Sequence, residues 1–223
     1  MNVSDIVKKV RLCIDEFVET TDTTNADGTT TTTTTGTNDF ADTSMDAVIK
    51  NSIHSALVWA ARNAPLDMLT GTDSPFVKTA TADNLQDNVL TLGSDFVRLI
   101  KVRHGSWKRS VITPMREDSE EYLMQSDLTA VATPENPVAV LVYTAEGYKL
   151  ELYGIDEGAT DKSILCLYVT SNIGTTGTGD EESVATSTAL EPALIYYTAY
   201  LTLIAYGDDR AKSMYEAAMT LLK

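Results

Sequence analysis

A chain of 223 residues is long enough to bury a core of its own, and 43% hydrophobic with 22% charged residues is a globular rather than a disordered composition. Its net charge of −15 repels free nucleic acid, which argues against direct reading of DNA but not against lining a path along which DNA slides. The longest charge-free apolar run, residues 193–206, has 14 residues, against the roughly 20 that a membrane span requires. Residues 1–9 carry neither the apolar centre nor the small-residue cleavage site of a secretory signal. Cys13 and Cys166 stand apart, without CxxC or Cys/His spacing. The expectation is a soluble cytosolic product with two ordinary buried thiols and neither metal nor cofactor.

Val3, Ile6, Val7, Val10, Ile14, Phe17 and Val18 recur at helical spacing, which predicts an amphipathic helix over residues 4–20 with Ser4 as its N-cap. The composition then changes. Residues 15–46 hold eight acids and no base, and seven consecutive Thr fill positions 29–35. With almost nothing apolar to bury, residues 20–42 read as a loop. Thr is nevertheless β-branched, so the segment is able to extend and pair where a neighbouring chain offers an edge. Thr43 followed by Asp46 is a capping signal, and Met45, Val48, Ile49, Ile53, Ala56, Leu57 and Ala60 continue as a second helix to about Arg62. His54 falls on this helix without a second ligand nearby, so it reads as a core or interface residue.

Residues 76–170 are strand-like and read as an inserted antiparallel β module. Residues 89–92 lead into a basic segment, 92–109, that reads as strand, Gly105-Ser106 turn and return strand, closed by Val111-Ile112-Thr113. Residues 137–143 and 149–153 form a second strand pair around Glu146-Gly147, and residues 163–169 add another strand. Residues 117–125 read as a short helix between them. The polar stretch 174–182 has glycines but no following Lys-Ser or Lys-Thr, so a loop is expected rather than a phosphate cradle. Glu191-Pro192 opens a helix that is apolar nearly all round, Gly207-Asp208-Asp209 breaks it, and a last helix runs to the end. A helix apolar on every side belongs in a core or a subunit interface. The fold class is therefore α+β: N-terminal helices with the Thr-rich loop (1–75), the β module (76–183), and C-terminal helices (184–223) packing on the N-terminal ones.

No constellation carries catalytic chemistry: HExxH, Gly-x-Ser-x-Gly and Walker patterns are absent, and the adjacent acid pairs point in different directions. The basic segment is the exception to an acidic chain. Arg98, Lys101, Arg103, Lys108 and Arg109 are five of the 17 bases, within twelve positions that also hold His104 and Trp107. Neither alternation phase of residues 96–103 is cleanly apolar, which predicts a bulge or a strand covered on both sides. These bases are expected to meet acids, either the chain's own or a partner's. Arg98, Lys101, Arg103, Trp107, Lys108 and Arg109 are the candidate interface residues.

Leu92-Gly93-Ser94-Asp95-Phe96-Val97-Arg98-Leu99-Ile100 with Trp107 a few residues on, the Pro137-led strand, Leu150-Glu151-Leu152-Tyr153 and the Tyr-rich helix together resemble head-to-tail connector (adaptor or ring) proteins of tailed bacteriophages. The resemblance is closest to the podovirus-like sort found in crAss-like phages. Gly93 stands where that family has Pro, and the resemblance covers most of residues 1–20 and 43–223 but not the Thr-rich segment. It implies a non-enzymatic virion protein of the tail or neck, present in the host cytoplasm during assembly. A dodecameric ring below the portal would extend the DNA channel and dock tail components, with the helices building the ring. Its partners would be further copies, the portal, other tail proteins and, passively, the genome, but no membrane. Twelve copies at −15 carry −180, which suits a channel along which phosphates slide. Another virion component (tail-tube or fibre-attachment protein) and an unrelated soluble β-containing binding module are the competing readings, with an enzyme last.

Overall fold

A computed structural model describes residues 1–15, 20–24, 30–34, 43–70, 74–81, 85–126, 131–156, 158–173, 182–184 and 186–223. Phe17, Val18 and nearly all of the polar stretch 174–182 lie outside these residues. The chain divides into two compact units, one built from Met1–Gly71 with Ile173–Lys223 and one from Thr72–Asn172. Helices and mostly antiparallel sheets place it in the α+β class, as expected.

The helical unit contains α1 (Val3–Asp15), α2 (Thr43–Asn63), the short α3 (Leu66–Leu69), α5 (Glu191–Ala205) and α6 (Ala211–Leu221). Its core is the apolar stripe that the periodicity marks: Val3, Ile6, Val10 and Ile14 from α1, and Met45, Ile49, Ile53 and Leu57 from α2. Leu194, Ala199 and Leu203 of α5 and Met214 and Ala218 of α6 complete it. The cap of α1 is Asn2 rather than Ser4: its Oδ1 accepts from the Ser4 backbone N–H and hydroxyl, each at 2.9 Å. At the other end, Arg210 Nη1 donates to the Ile14 carbonyl at 3.3 Å, satisfying one of the orphan acceptors of that terminus. Two buried hydroxyls in α5, Thr198 and Thr202, donate to carbonyls one turn back and so bring no unsatisfied group into the core.

Residues 182–184 belong to this unit, so the β module ends some ten residues before the expected boundary at 183. Asn2 and Ser183 form an antiparallel bridge, and Met1 and Val184 exchange backbone hydrogen bonds. The Thr-rich segment is not simply a loop. β1 (Thr20–Thr24) and β2 (Thr30–Thr34) pair antiparallel, with Asp22 opposite Thr32. The β-branched preference of Thr for extended backbone accounts for the difference.

The β unit holds two sheets around one core. β3 (Val77–Ala80), β10 (Ile164–Thr170) and β6 (Phe96–His104) form the first, in that order. The second runs β4 (Leu85–Gln86), β5 (Val89–Thr91), β9 (Gly147–Tyr153), β8 (Val138–Thr144), β7 (Met115–Arg116). The β7–β8 pair is parallel, against the all-antiparallel expectation. β4 and β5 are joined by Asp87-Asn88, both at positive φ (48° and 64°), the conformation a two-residue hairpin turn demands. The helix expected at 117–125 is α4 (Glu120–Leu123) with a following 3-10 turn, capped by Ser119 Oγ, which accepts from Tyr122 N. Leu90, Phe96, Leu99, Val102, Trp107, Leu150, Leu152, Cys166 and Tyr168 make up most of the shared core.

Candidate interaction surfaces

The basic segment is not a local hairpin. β6 runs nine residues, turns at Gly105-Ser106, and returns only as one bridge between Val102 and Val111. Its real partner is β10, some sixty residues on in the chain, and the expected bulges lie there. Lys101 opposes Leu167 while Leu99 opposes Tyr168, and Arg98 opposes Val169 while Phe96 opposes Thr170, so Ile100 and Val97 are extra. Each extra residue resets the alternation. The buried positions are therefore Phe96, Leu99, Val102 and His104 rather than every second residue. That is why no single phase of this segment is apolar in the sequence.

The candidate interface residues separate accordingly. Trp107 is 1% exposed and belongs to the core, so it presents no surface to a partner. Its indole N–H has no acceptor among the described residues. Arg98 is half-buried opposite Val169, and desolvation pushes its guanidinium pKa down. Lys101 and Arg103 flank buried Val102 and stand on the face of the sheet turned from the core. Lys108 and Arg109 are exposed, and Lys108 lies 3.9 Å from Glu135 with both side chains largely in solvent. Such a pair contributes little.

Two local clusters hold this unit in register. Asp95, from the resemblance motif, accepts from Thr170 Oγ1 at 2.6 Å and from Lys78 Nζ at 2.9 Å, while its carbonyl accepts from Ser171 N at 2.8 Å. It thus ties the start of β6 to β3 and to the end of β10. A Cβ on Gly93 would lie 2.1 Å from Asp95 Oδ1, so the carboxylate occupies the space that a side chain there would need. The second cluster closes the turn after β6. His104 Nδ1 accepts from the Ser106 backbone N–H at 3.2 Å and lies 2.8 Å from Ser106 Oγ, which in turn accepts from Asp156 N. Because Nδ1 is an acceptor, the ring is neutral with its proton on Nε2. Burial lowers its pKa below 6.5, with Asp161 opposing and Lys162 reinforcing that shift.

The helical unit carries a different surface. Pro192 and Tyr196 of α5 sit beside Leu12 and Cys13 of α1 along a groove of about 460 Å³, rimmed by the Lys9–Glu191 ion pair. Cys13 is half-exposed there, not buried as expected; Cys166 is buried, and burial raises its thiol pKa to about 12. From Tyr196 the face continues one helical turn at a time to Tyr200 and Ile204, with Tyr197 beside them. Tyr200 and Tyr215 of α6 have ring centroids 5.2 Å apart, and Tyr197 stacks on Trp59 of α2 at 3.9 Å with the planes 6° apart. Leu12 is 62% exposed, Ile204 51% and Tyr215 38%, so an apolar and aromatic strip crosses three helices with its outer parts in water. No charge interrupts α5 between Glu191 and its C-terminus. The periodicity showed that this helix is apolar all round; only the packing shows which arc stays uncovered. His54 is exposed on α2 rather than core.

Among the described residues no group of three or more His, Cys, Asp or Glu is placed to hold a metal ion, and no helix is long and apolar enough to cross a membrane. Comparison with protein-family models finds no match, and comparison with curated proteins finds none.

Proposed function

We propose that this chain is a non-enzymatic structural protein of a tailed-phage virion, one that self-associates through its helical unit into a ring below the portal, extends the DNA channel and docks tail components. The observation that carries the reading is the outer arc of α5, where Tyr196, Tyr200 and Ile204 form a charge-free strip continuous with Leu12 and Tyr215. Leu12 and Ile204 are more than half exposed and the tyrosines between them partly so, and association would bury this apolar surface. The sequence resemblance supplies the ring and its place in the virion, and the net charge of −15 fits a lumen that does not bind phosphate.

Native mass spectrometry and negative-stain imaging test the reading. Twelve-fold rings, formed by the chain alone or on added portal protein, are expected. Tyr200→Glu with Ile204→Glu should return the chain to monomers while leaving its helical circular dichroism unchanged. A chain that stays monomeric across concentrations and ignores portal would overturn the ring and leave a soluble binding module as the better account.

A further inference from the structure

We propose that α4 and the turn after it form a knob on one copy, whose Leu123 and Met124 enter the α1–α5 groove of a second copy. This contact rests on the self-assembly reading above and names the surface that the groove receives. Symmetry supplies the first reason. One self-complementary patch closes two copies into a dimer, whereas a ring needs two different patches that meet head to tail. The groove and strip on the helical unit are one such patch, and the β unit carries a second of opposite form.

That second patch is apolar and folded in advance. Leu123, at the end of α4, is 67% exposed, and Met124 and Val131 are exposed as well. The segment is held from within. Ser119 Oγ caps α4, and Tyr122 donates its hydroxyl to Glu151 Oε2 of β9 at 3.2 Å. Gln125 Oε1 accepts from Ala132 N at 2.9 Å, which folds residues 131–132 back toward 124–125. Apolar side chains on a turn already fixed in this way lose less entropy on docking than the same side chains on an unstructured loop.

The groove suits such a knob in size and in character. Leu12, Cys13, Pro192, Ile195 and Tyr196 line about 460 Å³, a volume in the range that encloses a small ligand and therefore enough for two side chains. Charge then separates this pairing from others. Residues 116–124 hold four acids and one base, so two knobs repel each other. In a chain of −15, α1 holds three bases, Lys8, Lys9 and Arg11, against Asp5 and Asp15. Lys9 meets Glu191 and Arg11 meets Asp46, while Lys8 is exposed one turn before Leu12. Exposed Glu117 and Glu120 of the knob would therefore approach a helix of net positive charge.

Covalent capture tests the contact. A mass-tagged chain carrying Met124→Cys and Cys13→Ser, mixed with the parent chain and oxidised, should give a two-chain product in which position 124 is joined to Cys13. Cys166 is buried, and its thiol pKa of about 12 keeps it out of the exchange. Tyr143→Cys with Cys13→Ser places a thiol at another exposed apolar position of the β unit and should give no such product. As a second measurement, Leu123→Gln with Met124→Gln should weaken self-association by roughly tenfold or more in native mass spectrometry. The melting temperature of the monomer should stay unchanged, because both side chains are exposed. Absence of the 124–13 product, an equal yield from the Tyr143 variant, or a glutamine variant that assembles like its parent would each overturn the knob while self-assembly stands. If the parent chain never assembles, self-assembly fails and this contact with it.

Discussion

Replacing Asp95 by Ala tests the clamp that joins three strands of the β unit. Thr170 is 3% exposed and donates its hydroxyl to the Asp95 carboxylate at 2.6 Å. Removing the acceptor leaves a buried donor unsatisfied, at a cost of about 1–3 kcal/mol. The Lys78 ammonium has a side chain 50% exposed and regains water, so its loss adds no more than about 1 kcal/mol. The bonds from Ser171 to the Asp95 carbonyl survive the substitution. The expected destabilisation is therefore about 2–3 kcal/mol, a downward shift in melting temperature of roughly 8 °C or more for a domain near 100 residues. The assay is urea unfolding followed by Trp107 fluorescence in a Trp59→Phe background, so that only the β unit is read. Asp95→Asn adds the pH test. Burial opposes ionisation of Asp95, but the Thr170 hydroxyl and Lys78 ammonium outweigh it and hold its pKa below the usual 3.8. Its stabilisation is then present in full above about pH 4 and is lost as pH falls through the folded-state value. The gap between parent and Asp95→Asn should narrow below that point. An Asp95→Ala chain within about 0.5 kcal/mol of its parent, a difference typical of an inert surface change, would refute the clamp.

His104 has a folded-state pKa below 6.5 because burial disfavours its charged form, so protons bind the unfolded chain more readily. Melting temperature of the β unit should fall as pH drops below about 6.5, and His104→Asn, which keeps an acceptor for the Ser106 N–H, should flatten that fall; an unchanged slope would remove His104 from the account. Trp107→Ala should cost about 3–5 kcal/mol through the cavity it leaves. Trp107→Phe should cost less than that, because the phenyl ring refills part of the cavity, while either substitution removes an indole N–H with no described acceptor. Equal losses from the two, read by equilibrium unfolding with circular dichroism, would mean that cavity volume does not set the cost.

Local chemistry was legible in the sequence wherever a residue's neighbours in the chain are also its neighbours in space. The stripes of α1 and α2, the Pro192 start of α5, the Gly147 turn between β8 and β9, and a disturbance within residues 96–103 all follow from spacing and turn chemistry. What the sequence could not choose was partners. The strand pattern of β6 is equally compatible with a near return strand and with β10, and the long-range pairing with two bulges decided it, turning Phe96, Leu99, Val102 and His104 inward. That choice carried Trp107 into the core and left Lys101 and Arg103 outside. In the same way, apolar residues all round α5 said that the helix must be covered. Packing against α1, α2 and α6 determined that Leu194, Ala199 and Leu203 meet the core while Tyr196, Tyr200 and Ile204 do not, because burial is a property of the assembled surface rather than of any one helix.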